Sequence, residues 1–570
     1  MKKLFSLFAV LLASAMVLTA CGGGAGAANL DGRGDNTVVI GTPQPQQGLF
    51  SPLFGRSVYD MWTVNLVFDG LFTYDLDGNF VPAIAADMYT VSEDGLTYTV
   101  TLRDDVFFSN GNKLTADDVV FTYNILGDPS YNGAATVTGM HLLGFDEMRA
   151  GEADHLAGVV AIDDYTVSFT FTSVRSNNYL SLGMGIFNRA DFEGYTLGNT
   201  DIFEDRASTP VGTGTYMLQS WSSETGAVHV PNPYSWRTDW NAEAPEMIII
   251  RPINDQMVQE EFLAGNIDVW TNEIQGHNID EFMRNENLGH VSYDRGGFGY
   301  LAFNTVMGAT ADVNVRQALM YSFDRNAAND SLFPSEMVPE GIAFTPTTLM
   351  NPISPMSGVV RGDVNVPGLN TFEYNPARAI ELLEEAGWTL GADGYRHNAA
   401  GERLEIRILS MPDHSILETL VPIWDREWTA LGIHVQVATL EFNAIVDLIT
   451  DAEPSDQWNV FFLATSFTSD DMFGIRGFVH SSMEVPAGSN FSRINDAEID
   501  RLIELGEQTL DSAEALEIAK QLVVRINELV PMQPIYVNLM FDFYNANQIA
   551  GFRSTALTQW HQTVHTWQVD

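Results

Sequence analysis

The chain has 570 residues, of which 45% are hydrophobic, and it carries a formal net charge of −46 at pH 7. This length and apolar content allow about two or three packed domains and exclude a chain that is disordered throughout. The large excess of acidic residues repels phosphate groups, so we expect no nucleic acid among the partners.

The beginning of the chain has the layout of a secretory signal peptide. Two lysines precede an apolar run, and small residues lead up to Cys21, the single cysteine of the chain. The apolar run is shorter than the ~20 residues that a membrane-spanning helix needs. The letters Leu-Thr-Ala-Cys resemble a bacterial lipobox, in which the cysteine becomes the acylated first residue of the mature chain. We therefore predict a signal peptide at residues 1–20 and a lipidated Cys21 that opens a flexible tether at residues 21–36, with a plain cleaved signal as the alternative.

Strand and helix patterns alternate along the rest of the chain, which predicts an α/β protein. The clearest helix has Asn375 as its cap, Pro376 at its first position and Gly387 after its end. Further helices are predicted after Thr115 and at residues 496–505 and 512–529. Short runs of β-branched and apolar residues predict strands at residues 37–41, 96–102, 165–171, 247–253, 404–411, 434–440 and 458–465.

No stretch of the chain matches a catalytic signature such as GxSxG or HExxH. The sequence DLDGN at residues 75–79 lacks the glycine and glutamate that a calcium loop needs at its sixth and twelfth positions, so we interpret it as a turn. His561 and His565 are four residues apart but have no evident third ligand, and we expect neither a metal site nor a cofactor. Trp424 and Trp428 share one face of a predicted helix, which favours core packing over ligand stacking.

Several stretches occur in an order that is typical of one family. The longest is FVPAIAADMYTVSEDGLTYTVTLRDDVFFSNGNKLTADDVVFTY at residues 80–123. The others are PVGTGTY at 210–216, FLAGNID at 262–268, YLAFNT at 300–305, VRQAL at 315–319, AIELLEEAGW at 379–388 and PIYVN at 534–538. Together they resemble the extracytoplasmic solute-binding proteins of ABC importers, in the oligopeptide, dipeptide and nickel type called family 5.

The resemblance implies an α/β fold of two lobes that close like a clamshell, with mixed sheets and an extra subdomain in the first lobe. We expect the first lobe at residues 37–303 and 530–570, with the subdomain at about residues 81–205, and the second lobe at residues 304–529. Two crossover strands would form the hinge. A solute shifts such a protein toward the closed state only if it contacts both lobes.

The resemblance also implies a function without catalysis. A lipoprotein anchored on the extracytoplasmic face of the membrane would capture a peptide or similar polar oligomer. It would deliver this solute to the permease complex of an ABC transporter, and we expect it to be a monomer. An oligosaccharide or a nickel complex is the alternative solute, and a cell-surface hydrolase and a solute sensor are the remaining alternatives.

The chain departs from the family where peptide-binding members anchor their ligand. The resemblance implies a W-x-x-D-x-x-D-P pattern whose first aspartate pairs with the α-ammonium of the peptide. In the matching stretch FFLATSFTSDDMF, residues 461–473, Thr468 stands at that position. Three interpretations remain open: Asp470 replaces the anchor after a small register shift, the solute lacks a free amine, or the stretch simply packs structurally, with Asp470 and Asp471 in a solvated turn.

Other candidate ligand contacts follow from side-chain chemistry and position. Hydroxyl groups near the end of the same predicted strand suit a neutral polar solute, although strand hydroxyls also form cross-strand pairs. Residues that follow the first predicted strand lie where ligands often bind, at a junction between lobes. The predicted ligand-binding residues are Gln46, Phe50, Thr465, Ser466, Thr468, Asp470 and Asp471.

Overall fold

The computed structural model of the protein describes residues 36–133, 135, 141–254, 257–412, 414–467, 469–486 and 488–569. The predicted signal peptide, Cys21 and the tether up to residue 35 lie outside the described residues, and so does Thr468. Among the helices of the described ranges, none combines the length and the apolar character needed to cross a membrane.

The strands confirm the predicted positions, with ends that differ by one or two residues. They are β1 (Thr37–Thr42), β2 (Phe72–Tyr74), β3 (Phe80–Pro82), β4 (Thr90–Val91), β5 (Thr97–Thr101), β6 (Val159–Asp163), β7 (Thr166–Thr170), β8 (Tyr216–Ser222), β9 (Gly226–Pro231), β10 (Met247–Pro252), β11 (Val269–Glu273), β12 (Leu288–Asp294), β13 (Gly297–Phe303), β14 (Ala343–Phe344), β15 (Thr389–Leu390), β16 (Arg396–His397), β17 (Glu405–Ser410), β18 (His434–Thr439), β19 (Val460–Ser466), β20 (Met532–Asn545), β21 (Ile549–Ala550) and β22 (Gln568–Val569).

The predicted helices are also present, and the Asn375 side chain caps its helix by accepting a hydrogen bond from the Arg378 amide. The helices are α1 (Val58–Val67), α2 (Ala116–Gly127), α3 (Phe145–Arg149), α4 (Asp201–Arg206), α5 (Val258–Leu263), α6 (Gly276–Arg284), α7 (Val313–Tyr321), α8 (Arg325–Leu332), α9 (Ser357–Arg361), α10 (Pro376–Glu385), α11 (Ser415–Ala430), α12 (Phe442–Thr450), α13 (Arg476–Val479), α14 (Ala497–Gln508), α15 (Ser512–Leu529) and α16 (Trp560–Thr563).

A large mixed sheet connects the two halves of the described part of the chain. In the described ranges its strand order is β18-β17-β19-β13-β20-β11-β1-β10-β9-β8, and β12 and β14 also pair with β20. β1 is parallel to β10 and β11, and β17 is parallel to β18 and β19. β20 is antiparallel to each of its partners β11, β12, β13 and β14. The mixed α/β character predicted from the sequence is confirmed.

Strand β20 belongs to both halves of this sheet. Its first residues pair with β13, whereas its later residues pair with β11 and β12. We call the elements up to β12 and after β20 the first lobe, and the elements from β13 to α15 the second lobe, while β20 belongs to both. The chain passes between the lobes at the connection from β12 to β13 and within β20. The boundaries at residues 303/304 and 529/530 stay predictions.

The first lobe contains a smaller antiparallel sheet with the order β4-β5-β7-β6. Helix α2 packs against it, and the Tyr123 ring contacts the Phe169 ring with centroids 4.9 Å apart. The Asp118 carboxylate caps this helix by accepting a hydrogen bond from the Thr115 amide at 2.9 Å, as the Thr-x-x-Asp spacing predicts. This unit lies within the predicted subdomain of about residues 81–205, whose limits stay a prediction.

The second lobe has a core that includes the two tryptophans of α11. Trp424 and Trp428 are both fully buried, and their rings stack with centroids 5.8 Å apart. They pack among apolar residues such as Leu417 and Phe323. The interpretation of these tryptophans as core residues is therefore confirmed.

A buried carboxylate ties β20 to two neighbouring strands. Asp542 of β20 is fully buried and accepts hydrogen bonds from the Asn272 amide of β11 at 2.8 Å and from the Tyr293 hydroxyl of β12 at 3.1 Å. Asn272 has a left-handed backbone with φ 60°, a conformation that asparagine tolerates better than most residues. The β11–β20 register shifts beside it, so the bulge directs its N–H group to the carboxylate.

We predict that Asp542 makes the stability of the fold depend on pH. Burial raises the pKa of this carboxyl from 3.8 to about 6, so the folded state keeps a proton that the unfolded chain has already released. Stability from this group is therefore present at low pH and is lost as the pH rises through about 4 to 6. Relative to Asp542→Asn, the native protein should lose about 1.4 kcal/mol of unfolding free energy between about pH 5 and pH 7.

Urea unfolding of the two proteins at several pH values measures this difference. Asp456→Asn, which changes an exposed carboxylate, serves as the control and should leave the pH dependence unchanged. An Asp542→Asn curve that stays parallel to that of the native protein would contradict the prediction.

Candidate functional site

A cavity of about 1690 Å³ lies between the two lobes. The first lobe contributes residues of α1, the segment around residues 175–185 and the end of β11. The second lobe contributes Glu507 and part of the segment after β19, namely Ser466, Phe467, Ser469, Asp471, Phe473, Gly474, Arg476, Gly477, Ser482, Met483 and Ser489. Tyr293, Arg295 and Met540 line it beside the places where the chain crosses between the lobes. A solute in this cavity would contact both lobes and the hinge.

Asp470 of the second lobe is held by two tyrosines of the first lobe. The hydroxyls of Tyr74 and Tyr179 donate to Asp470 Oδ1 at 2.9 and 3.0 Å. Burial, followed by the charge of Asp470, raises the pKa of both hydroxyls, so they remain protonated donors. This carboxylate therefore joins the lobes directly, and it is not among the residues that line the cavity.

Asp471 makes a similar contact at the edge of the cavity. Its Oδ2 accepts a hydrogen bond from the Asn177 side chain of the first lobe at 2.9 Å, and its Oδ1 accepts one from the Phe473 amide at 2.8 Å. Burial raises the pKa of this carboxyl. Asn351 supports the loop by donating to the Ser469 carbonyl at 2.7 Å.

Glu507 forms an ion pair across the lobes and another within its own lobe. Its Oε2 contacts Arg175 of the first lobe, and it lies 3.0 Å from Nη1 of Arg476 in the second lobe. Burial raises the pKa of Glu507, although the two arginines oppose that shift. Because both charged partners are largely shielded from water, removing one leaves the other poorly compensated.

The described wall of the cavity is electrically balanced in spite of the acidic chain. Burial lowers the pKa of His141 to about 4 and that of His561 to about 3, so both are neutral near pH 7. The charged residues on this wall are four arginines and four carboxylates: Arg175, Arg237, Arg295, Arg476, Asp69, Glu273, Asp471 and Glu507. The net charge of the whole chain therefore does not set the charge of the solute.

Glu273 is a wall carboxylate that neutral donors satisfy. Its Oε1 accepts from the amides of Ile274 and Gln275, and its Oε2 accepts from the Trp270 indole and the Asn278 side chain, at distances of 2.7 to 2.9 Å. These four hydrogen bonds occupy the acceptor sites of a carboxylate. Glu273 has no lone pair left to offer a solute.

Arg295 is the wall arginine that pairs with no carboxylate among the described residues. It follows β12, and its Nε and Nη2 donate to Ser466 Oγ at 3.3 and 3.1 Å. The adjacent Asp294 pairs instead with Arg361. Each of the other three wall arginines pairs with Asp69 or Glu507.

Comparison with known proteins assigns this architecture to a family. Residues 79–483 match the family model of bacterial extracellular solute-binding proteins, family 5 (middle region). The chain belongs to this family. Its members are extracytoplasmic solute-binding proteins that work with ABC permeases, rather than enzymes, so the predicted family is confirmed.

Individual relatives match this chain over most of its length. It is 23% identical to di/tripeptide-binding protein 1 of Pseudomonas aeruginosa, over 82% of this chain and 83% of that one. The structure of AppA from Bacillus subtilis with a nonapeptide has a TM-score of 0.71 at 21% identity, covering 94% and 99% of the two chains. NikZ from Campylobacter jejuni with Ni(L-His) has a TM-score of 0.74 at 20% identity, covering 94% and 100%. The predicted two-lobed fold is thereby confirmed.

Two of the predicted contacts lie inside the first lobe of this solute-binding protein rather than on the cavity wall. Gln46 is 3% exposed and donates to the Tyr59 carbonyl and the Thr63 hydroxyl at 2.8 and 2.9 Å. Phe50 is 1% exposed and packs edge-on against Trp221. The loop after β1 folds back onto α1, which corrects the expectation that these side chains face the solute.

The predicted residues of the second lobe divide between the cavity and its surroundings. Ser466 and Asp471 line the cavity, whereas Thr465 pairs with Phe298 in the β13–β19 ladder and is not among the lining residues. Thr468 lies outside the described residues. Asp470 and Asp471 accept hydrogen bonds from the first lobe, so these two residues make structural contacts, whereas the expectation that they lie in a solvated turn is wrong.

The histidine pair at the chain end does not converge on one point. His561 Nε2 lies 3.2 Å from Gln559 Oε1, and His565 Nε2 lies 3.2 Å from Asp239 Oδ2. The described residues hold no group of three or more His, Cys, Asp or Glu side chains that could bind a metal. The wall of the cavity therefore offers no ready metal site of its own among these residues.

Sequence reasoning missed the arginines and tyrosines of the site. Arg175 and Glu507 are 332 residues apart, and Tyr179 and Asp470 are 291 apart. A pairing over such distances leaves no local motif. The polar stretch Arg-Ser-Asn-Asn-Tyr at residues 175–179 is a local signal that could have drawn attention to this part of the wall, but the sequence analysis did not use it.

We predict that Arg175 helps to hold the lobes closed and that Arg476 does not. Arg175→Gln removes the cross-lobe partner of Glu507, which should cost the closed state roughly 1.5–3 kcal/mol, as for other hydrogen bonds to charged groups. Arg476→Gln removes a partner of the same carboxylate within one lobe and is the matched control. Small-angle X-ray scattering without solute should give a larger radius of gyration for Arg175→Gln only. The same radius for both variants would rule out this role.

Proposed function

We propose that the protein captures a peptide or similar extended polar oligomer between its lobes and delivers it to the permease complex of an ABC transporter. The observation that carries this proposal is the cavity of about 1690 Å³, whose wall comes from both lobes and the hinge. Sites for single small molecules usually measure ~300–1,000 Å³. The larger volume suits an oligomer better than a single amino acid, a sugar or a small nickel complex.

The relatives support the same class of solute. The Pseudomonas aeruginosa relative is a di/tripeptide-binding protein, and the Bacillus subtilis structure contains a nonapeptide. The cavity wall of this protein combines aromatic rings with amide and hydroxyl groups, for example Tyr59, Trp270, Asn272 and Gln275. Such a wall can pack against side chains and also form hydrogen bonds with a peptide backbone.

Closure would couple solute capture to delivery. Tyr74 and Tyr179 meet Asp470, and Arg175 meets Glu507, only when the lobes are together. A solute that touches both walls adds its own contacts to these and shifts the population toward the closed form. The permease would then recognise the closed form, and opening would release the solute.

The signal-like pattern at the beginning of the sequence supports a proposal for the location of the protein. Cleavage before Cys21 and acylation of its thiol would tether a monomer to the extracytoplasmic face of the cell membrane, beside the permease. The residues up to position 36 would give the lobes freedom to reach it.

We expect peptide pools to stabilise the mature protein. Residues 22–570 would be screened by thermal unfolding against random peptide pools from dipeptides to nonapeptides, against single amino acids, against oligosaccharides and against nickel with histidine. Saturation at ~100-fold over Kd adds ~2.7 kcal/mol of stability, so a bound pool produces a clear rise in Tm.

The single amino acids and the nickel–histidine mixture serve as size controls and should leave the Tm unchanged. Stabilisation by oligosaccharides alone would replace the peptide assignment with the alternative solute. Stabilisation by nickel–histidine alone would show that volume is a poor guide to the solute of this cavity.

A further inference from the structure

The described wall of the cavity offers free hydrogen-bond donors but no free carboxylate. Asp69, Glu273, Asp471 and Glu507 each accept two or more hydrogen bonds or ion pairs from protein donors. Asp69 and Glu507 are in addition paired with arginines, which compensate their negative charge. The guanidinium of Arg295 still has N–H groups without a described partner.

The free donors of Arg295 can be counted from its contacts. A guanidinium has five N–H groups. One N–H group on Nε and one on Nη2 donate to Ser466 Oγ. Three N–H groups remain, and the Ser466 hydroxyl, which accepts both of these bonds, still has its own proton to donate. Both side chains line the cavity.

The backbone holds these two residues side by side. Gly297 of β13 pairs with Ser466 of β19, and a Cβ atom at position 297 would collide with the Thr465 carbonyl oxygen. Glycine therefore allows the close approach of the strands that places Arg295, two residues earlier, against Ser466. Because β13 and β19 are neighbouring strands inside the sheet, a hydrogen-bonded ladder holds the backbone next to both residues.

We propose that Arg295 and Ser466 form a subsite for a carboxylate group of the solute, and that this site does not require a free α-amine. This inference rests on the proposed function, since it concerns the same cavity. Half-burial of Arg295 without a counter-ion costs free energy that a solute carboxylate would recover. A guanidinium also binds a carboxylate through two parallel hydrogen bonds, which orients the solute.

The carboxylate can come from the C-terminus of a peptide or from an acidic side chain. Random peptide pools in four forms separate these sources: unmodified, N-acetylated, C-amidated, and C-amidated without Asp or Glu. Peptides retained by the native protein are identified by mass spectrometry, and the Kd values of the retained sequences are measured by calorimetry. N-acetylation should change Kd by less than about twofold, whereas loss of every carboxylate should weaken binding at least tenfold, about 1.4 kcal/mol.

The variant Arg295→Gln tests the assignment to this residue. It should bind the carboxylate and amide forms of one peptide with Kd values within about twofold of each other, and Arg295→Lys should keep part of the difference. Arg553→Gln removes the same charge from an exposed position outside the cavity, and it should keep the full tenfold difference. Thermal unfolding of each variant shows whether it folds.

The outcomes distinguish the two proposals. If no peptide form binds, the proposed function fails and this inference fails with it. If peptides bind but the native protein does not discriminate the amide forms, or requires a free N-terminus, only the carboxylate subsite is overturned. If Arg295→Gln retains the tenfold discrimination, the carboxylate binds elsewhere and the assignment to Arg295 is wrong.

Discussion

Strand β20 gives both lobes a common backbone. Its 14 residues pair with β13 at one end and with β11 and β12 at the other, so each lobe contains part of the same strand. The lobes can therefore rotate about a hinge but cannot separate. The buried carboxylate of Asp542 strengthens this arrangement by binding β11 and β12 to β20. The cavity lies between the two lobes, and the shared strand β20 joins the lobes beside it.

Two contacts between the lobes involve acidic residues that lie, in the sequence, close to the position of the family's ligand anchor. Asp470 and Asp471 accept hydrogen bonds from Tyr74, Tyr179 and Asn177 instead of standing free in the cavity. Both carboxylates therefore have protein donors from the opposite lobe when the lobes are together, and Asp470 is not among the residues that line the cavity. Threonine thus stands at position 468, where the family pattern has aspartate, and the next two acidic residues bind the first lobe.

The balanced charge of the cavity wall has a separate physical origin from the acidity of the chain. Exposed carboxylates repel each other only weakly across water and salt, so a surface can accumulate them. A wall that is partly shielded from water cannot, and its carboxylates are paired with arginines or with neutral donors. Among the described wall arginines, Arg295 is the one without a carboxylate partner. It lies beside the place where the chain crosses from one lobe to the other.

The sequence by itself determined the elements, the α/β class and the family. Local capping at Thr115 and Asn375, the strand patterns and the ordered family motifs depend on residues close together in the chain, and each was found where predicted. The tertiary structure decided which side chains face the cavity. It buried Gln46 and Phe50 because the loop after β1 folds onto α1, and it brought Arg175 to Glu507 and Arg295 to Ser466 across 332 and 171 residues. Such contacts depend on how the lobes and the sheet pack, which no local pattern of residues encodes.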